Sequence, residues 1–415
     1  MAAPILSSPP SLASPVSAAE VAGVRRPTTE AHMLPPRVFH DPMVLAYERE
    51  AWFADEWVCV GREEDFPQAG SYHLVRVAGQ RLVVIRGGDG QIRAFHNLCR
   101  HRGATLLTEP CGTLVRFQCP YHAWIYDLEG RLRQPRHTDT LIDFDLAENG
   151  LIPVALDSWQ GFIFLNLRGE APPLLTYLAD MPAFFARYDL AGLRRARQID
   201  YDVRANWKII IENYSECYHC PGVHPQLNQI TPYNLGEWIP STGPWSGSWM
   251  EVVGDYETLS TDGATHGRAF VPGTSAEDHK RVYYFELWPN MLISLHPDYL
   301  MVHRVWPVEP GRTAITCEWL FAQEAMAQPG FDPSDAVDFW DLTNRQDWEV
   351  CELQQEGTGS AAYTPGRYSA IESGVHAFDL MVADRYANDG AVSHFERTLK
   401  KPGTARASSQ AAARR

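Results

Sequence analysis

The chain reads as an α+β protein of two domains: a small all-β domain, then a larger α+β domain with an antiparallel sheet flanked by helices. Three observations predict this. At 415 residues it is long enough for two cores. Between residues 71 and 167, apolar residues alternate in short runs split by Gly-rich turns. Beyond Pro172-Pro173, helical periods and longer, aromatic-rich strands take over.

Residues 1–35 are rich in Ala, Ser and Pro, with neither a basic nor a continuous apolar signal region. They are expected to form a disordered leader, although the composition is also that of a transit peptide. Residues 36–170 make the first domain, opened by a helical segment. Its strands are expected at Ser71–Val77, Leu82–Arg86, Ile92–Asn97, Leu114–Gln118, Ala123–Asp127, Leu151–Leu156 and Phe162–Leu167, with Ala78-Gly79-Gln80 and Gly87-Gly88-Asp89-Gly90 as turns. Residues 171–400 make the second domain. Leu174–Tyr188 and Trp207–Tyr218 read as helices, the latter stopped by Pro221-Gly222. Arg194–Val203, Val282–Trp288, Met291–His296, Met301–Trp306 and Thr313–Phe321 read as strands. A long helix begins at Asp332-Pro333 and runs to about Gly357. Residues 401–415 form a basic tail, expected to be disordered. There is no internal repeat.

The first domain carries Cys99-Arg100-His101 and then Cys119-Pro120-Tyr121-His122. One Cys and one His per short loop, repeated once, is the ligand set of a Rieske [2Fe–2S] centre, where two thiolates hold one iron and two imidazoles the other. Zinc sites usually group like ligands, Cys with Cys and His with His. Mixed pairs, the first with a single intervening residue, favour the iron–sulfur reading.

Net charge is −15, which argues against nucleic acid and leaves no basic patch for an anionic membrane. No apolar run is long enough to span a bilayer. With two of the eight cysteines assigned to the cluster, Cys59, Cys111, Cys217, Cys220, Cys317 and Cys351 are expected as reduced thiols. An iron–sulfur protein with free thiols belongs in a reducing compartment, the cytoplasm.

The second metal motif lies in Glu212-Asn213-Tyr214-Ser215-Glu216-Cys217-Tyr218-His219-Cys220-Pro221-Gly222-Val223-His224. A helix end at His219 and a break before His224 can turn both imidazoles onto one ion. Two imidazoles and one carboxylate, with open positions, form the facial triad of oxygen-activating Fe(II) enzymes. The long helix offers Asp338, Asp341 and Asp347 as the carboxylate. Asp347 shares its helical face with Phe339, Trp340, Thr343, Val350 and Cys351, the apolar stripe, and a buried carboxylate needs a partner. A buried Asp capped by backbone or Arg is the alternative. Asp338 and Asp341 read as solvated.

The runs Cys-Arg-His-Arg-Gly-Ala at 99–104 and Cys-Pro-Tyr-His-Ala-Trp at 119–124 closely resemble the Rieske domain of the Rieske non-haem iron oxygenases. From about residue 40 to 395 the chain resembles their large subunit, and Asp347 … Cys351-Glu352 … Gln354 … Gly357 matches the region of the family's aspartate ligand. The resemblance implies a homotrimer in which the cluster of one chain serves the iron of the next. It also implies that Glu216, three residues before His219, links that ligand to His122 of a neighbouring subunit. Ring-hydroxylating members usually carry Asp at this position. Glu216, the Glu-Asn-Tyr-Ser-Glu-Cys-Tyr-His-Cys run and the Tyr368 … Glu372 … His376 neighbourhood resemble the branch acting on quaternary ammonium compounds. That branch comprises choline and carnitine monooxygenases and the demethylases of glycine betaine and proline betaine.

The function expected is an O2-dependent monooxygenase that hydroxylates an N-methyl group of a betaine-like substrate, releasing formaldehyde and the demethylated amine. Glycine betaine or proline betaine is favoured over choline on overall resemblance. With no dinucleotide-binding fingerprint after a strand, electrons are expected from NAD(P)H through a separate flavin and iron–sulfur reductase. Cation–π attraction would hold the substrate. Tyr214, Trp245, Trp249, Tyr283, Tyr284, Trp288, Tyr299 and Trp306 are candidate rings, most of them core. Hydroxylation or O-demethylation of an aromatic acid is the enzymatic alternative, and a Rieske electron carrier the non-enzymatic one.

Overall fold

The computed structural model describes residues 13–387 except Glu170. Two seven-stranded antiparallel sheets and one small three-stranded sheet carry the architecture. The first sheet runs, in spatial order, Val58–Arg62, Phe162–Asn166, Pro153–Trp159, Ile92–His96, Gln80–Arg86, Ser71–Val77, Cys111–Thr113. Ala78 and Gly79, with φ of 48° and 78°, make the tight hairpin that suits the strand twist. Gln80–Arg86 is buried on both faces. Leu82 and Val84 join the main core, whereas Val83 and Ile85 join the small core around Cys99 and Cys119.

Phe117–Gln118, Ile125–Tyr126 and Leu132–Gln134 form the three-stranded sheet. One ligand loop follows Ile92–His96 and the other joins the first two strands of the small sheet, so a β scaffold presents them from two sides.

The second domain's sheet runs Arg194–Val203, Arg312–Phe321, Tyr299–Glu309, Met291–Leu295, Arg281–Leu287, Trp245–Glu251, Gly236–Ile239. One face, with Leu292, Met301, Val305 and Cys317, packs beneath the helices Trp207–Tyr214, Ser334–Thr358 and Ser373–Ala387. The opposite face, with Phe285, Ile293, Val302 and Leu320, packs on the short helices Leu174–Tyr177 and Met181–Phe185. The single helix expected over 174–188 is thus two, because Ala179 adopts φ 52° and Pro182 restarts the chain as a helix.

The N-terminal segment departs from expectation. Of the leader, residues 1–12 lie outside the described residues, as does the tail 401–415. Residues 13–35, expected to be disordered, are packed. Val16, Val21, Val24 and Leu34 are buried in the main core, and His376 meets Thr28 Oγ1 and the Val24 carbonyl, each at 2.8 Å. Apolar residues spaced through a Pro-rich stretch found a surface to cover, which composition alone cannot register. The helix Pro42–Glu48, expected with the first domain, packs on the second through Glu48, which accepts from Trp207 Nε1 at 2.8 Å and Lys208 Nζ at 2.5 Å. Among the described residues, no helix is long and apolar enough to cross a membrane.

Candidate metal centres

The first ligand set is split by burial. Cys99 and Cys119 are buried, with their thiols adjacent, while His101 is exposed and His122 lies beside it. His101 Nδ1 and His122 Nδ1 approach to 3.1 Å, and Trp124 stacks on the His101 ring at 4.9 Å. Tyr126 Oη lies 3.3 Å from Cys99 Sγ and accepts from the Arg100 N–H at 3.0 Å. Burial pushes the Cys99 thiol up, so a metal must offset the charge if both sulfurs are to become thiolates. Two sulfurs inside and two imidazoles outside fit the two ends of a [2Fe–2S] cluster.

The second set is built at a broken helix. The helix Trp207–Tyr214 stops four residues short of the expected end, because Glu216 turns its carboxylate onto the backbone N–H groups of Tyr218 and His219. His219 then caps the short helix Cys220–Val223, and His224 stands at its junction with Pro225–Ile230. Glu216 and His219 therefore meet across a capping turn, not along one helix. Cys217 and Cys220, expected as free thiols, are joined as a disulfide across this turn, their Cα atoms 5.0 Å apart. Cys59, Cys111, Cys317 and Cys351 are free.

Asp347 Oδ1 lies 2.8 Å from His224 Nε2 and 3.3 Å from His219 Nε2, and one ligand atom from each residue falls within 4.8 Å of the others. The far nitrogens are held. His219 Nδ1 meets Glu216 Oε1 at 2.6 Å, and His224 Nδ1 meets Gln346 Oε1 at 2.8 Å. A carboxylate and an amide oxygen only accept, so both Nδ1 atoms carry the hydrogen and both Nε2 lone pairs face Asp347. As neutral imidazoles they aim two lone pairs at a carboxylate, an arrangement that calls for a cation between them. Without a metal, a proton takes that place on His219. Burial opposes a charged His219, yet hydrogen bonds to Asp347 and Glu216 raise it to about 10. Burial would raise Asp347 too, but bonds from His219 and His224 hold it below the usual carboxylate range. The donor set and its orientation fit a divalent iron. Asp341, by contrast, accepts from Tyr201 and Arg345 at the helix edge.

Of the candidate rings, Tyr214 and Tyr284 lie on the helix-covered side, with centroids 6.1 Å apart. Trp245 and Tyr283 belong to the opposite face, Trp249 carries the Arg281 guanidinium, and Trp288 is core among Trp52, Trp207 and Phe378. Two further groups join them: His303, 6.3 Å from Tyr214, and Trp348, 6.2 Å from His303. Trp348 could have been found from its place directly after Asp347. His303 could not, because its strand face depends on register. Tyr284 Oη, His303 Nδ1 and Trp348 Nε1 are buried without a hydrogen-bond partner among the described residues.

Comparison with known proteins finds the same two domains. The family profile for the Rieske [2Fe-2S] domain matches residues 56–145, and that for the ring hydroxylating alpha subunit (catalytic domain) matches residues 190–388. The chain is 33% identical to the glycine betaine monooxygenase oxygenase subunit of Chromohalobacter salexigens, over 84% of each chain. It is 29% identical to the carnitine monooxygenase oxygenase subunit of Escherichia coli K12, over 83% of this chain and 89% of that one. Among solved structures, it is similar to a quaternary ammonium Rieske monooxygenase whose structure was described for carnitine oxidation and inter-subunit electron transfer. That match has 25% identity, a TM-score of 0.75, and covers 89% of this chain and 99% of that one.

Proposed function

This chain belongs to the Rieske non-haem iron oxygenases as an alpha subunit, and from that premise we propose that it hydroxylates an N-methyl group of a betaine-like quaternary ammonium compound. It is an oxidoreductase whose two domains imply a Rieske cluster and a mononuclear iron. In this reading Cys99, His101, Cys119 and His122 hold the cluster, and His219, His224 and Asp347 hold the iron. When bound, the cluster supplies single electrons and the iron activates dioxygen. A plain electron carrier would need no catalytic domain, and residues 190–388 match one.

The observation that carries the reading is the metal triad on the same, helix-covered side of the sheet as Tyr214, Tyr284 and Trp348. A trimethylammonium group donates no hydrogen bond, and ring faces attract it by about 0.5–2 kcal/mol each. Relatives named for glycine betaine and carnitine support the same substrate class. The N-hydroxymethyl product would collapse to formaldehyde and the demethylated amine. Glu216 holds His219 Nδ1 and, in a homotrimer, would join it to the partner subunit's His122. Electrons would come from NAD(P)H through a separate flavin and iron–sulfur reductase, with the cytoplasm as the compartment.

The test is a screen with a surrogate reductase, scoring formaldehyde from glycine betaine, proline betaine, carnitine and choline beside methoxybenzoates and aromatic acids. Formaldehyde from quaternary amines is expected. Turnover of neutral aromatic acids, with none of any quaternary amine, overturns the substrate class.

A further inference from the structure

His303 stands on Tyr299–Glu309, in register with Leu292 on one side and Cys317 on the other, so its ring rises from the helix-covered face. It is 2% exposed, and burial lowers its pKa to about 4, leaving a neutral imidazole. One nitrogen is spent: Nε2 lies 3.2 Å from Asn344 Oδ1. That amide cannot turn over, because its Nδ2 donates to Tyr201 Oη at 3.4 Å and to Cys317 Sγ at 3.7 Å. Tyr201 in turn donates to Asp341 Oδ1 at 2.8 Å. Nε2 therefore carries the hydrogen, and Nδ1 presents a lone pair that cannot donate.

That lone pair has no partner among the described residues. The ring sits between Tyr214 and Trp348, within electrostatic reach of Asp347. Tyr214 is tied to the sheet through Ile293 O and Ser294 Oγ, so it does not turn to His303. A buried acceptor left without a donor is destabilising. A ligand that brings a donor recovers that energy, and one that brings a carboxylate to the same place is repelled.

We propose that His303 is a specificity-determining residue, and that the substrate of this site carries a hydroxyl group near its quaternary ammonium group, donated to His303 Nδ1. The proposal rests on the quaternary ammonium reading above and narrows it. The trimethylammonium group takes the ring faces, and the hydroxyl is donated to His303 Nδ1. Glycine betaine offers no such donor. Asn344, Tyr201 and Asp341 are positioning residues that hold the imidazole in its acceptor form.

Matched ligands decide it: L-carnitine against γ-butyrobetaine, and choline against ethyltrimethylammonium, each pair differing by one hydroxyl. Calorimetric binding to the metal-loaded protein should favour the hydroxylated member by about tenfold or more. His303→Phe should bring that ratio close to one by weakening the hydroxylated ligand while sparing the other. Asn344→Leu, which frees the tautomer and leaves the imidazole in place, should lower the ratio too. In wild type, 15N NMR of the His303 ring should show an unprotonated Nδ1 that shifts on adding carnitine and stays put with γ-butyrobetaine. Equal binding within each wild-type pair, tighter binding of glycine betaine than of carnitine, or an unchanged ratio in His303→Phe overturns the proposal alone. Failure of every quaternary amine to bind overturns the substrate class and the proposal together.

Discussion

Each histidine of the triad is useful because of what its other nitrogen does. Glu216 and Gln346 take the Nδ1 hydrogens of His219 and His224, and so aim two lone pairs at one point beside Asp347. Replacing His219 with Ala should therefore empty the mononuclear site and abolish product formation, while the reduced cluster keeps its EPR signal. Iron analysis beside that spectrum checks it, and unchanged turnover removes His219 from the ligand set. Glu216→Gln keeps an accepting oxygen but loses the charge. Iron content should stay, and turnover should fall about 10–100-fold, read as slowed reoxidation of the cluster in single-turnover experiments. At this scale the sequence was explicit, since the six Cys and His ligand candidates sit in two short, recognisable motifs. Gln346 and His303 were not legible, because nothing local says what their side chains face.

The helices over the second sheet are joined by charges taken out of water. Lys208 and Glu48 are both fully buried and bonded at 2.5 Å, tying Trp207–Tyr214 to the N-terminal helix Pro42–Glu48. Lys208→Met leaves Glu48 without its cation and should cost about 3–5 kcal/mol of stability, visible in urea unfolding. On the neighbouring strand Arg281–Leu287, burial raises the Glu286 carboxyl from 4.5 to about 8, despite hydrogen bonds from Ser215 and Ser246. Burial lifts Asp379 from 3.8 to about 7. The folded chain thus holds these protons more tightly than the unfolded chain, so stability is lost as pH rises from about 4 to 8. Glu286→Gln should flatten that decline in Tm against pH, and a slope equal to wild type would refute the assignment. Periodicity placed most of the expected strands and the long helix to within a few residues. It missed Val58–Arg62, Leu132–Gln134, Gly236–Ile239 and Trp245–Glu251, and the strand expected over 114–118 is two, Cys111–Thr113 and Phe117–Gln118, in different sheets. It overran at Tyr214, where a side-chain cap beats helix propagation, and at 174–188, where a positive φ divides the helix.

Across the whole molecule, the first domain exposes His101 and also Val115 and Ile142, 92% and 89% exposed. Tyr218 and Leu353 are exposed at the elements that carry the triad. A head-to-tail ring would bury exposed apolar residues of this kind and set one chain's cluster beside the next chain's iron. A chain with both centres loaded should carry about three irons and two acid-labile sulfides. Mixing Cys99→Ser chains with His219→Ala chains should restore turnover that neither shows alone, because each supplies the centre the other lacks. No recovery in mixed trimers of confirmed composition would place the electron path within one chain.

By itself the sequence supplied the two-domain order, both ligand motifs and Asp347 as the candidate carboxylate, for two reasons. Metal ligands cluster within a few residues, and helical periodicity sorts buried from solvated acids. Tertiary structure alone decided that residues 13–35 belong to the core, that Glu216 acts from a capping turn, and that Cys217 meets Cys220. It also decided which candidate rings lie beneath the helices and that His303 Nδ1 is left without a partner among the described residues. These depend on strand register and on what lies across a gap between a sheet and its helices. Such contacts join residues as far apart as Val24 and His376, and no local pattern encodes them.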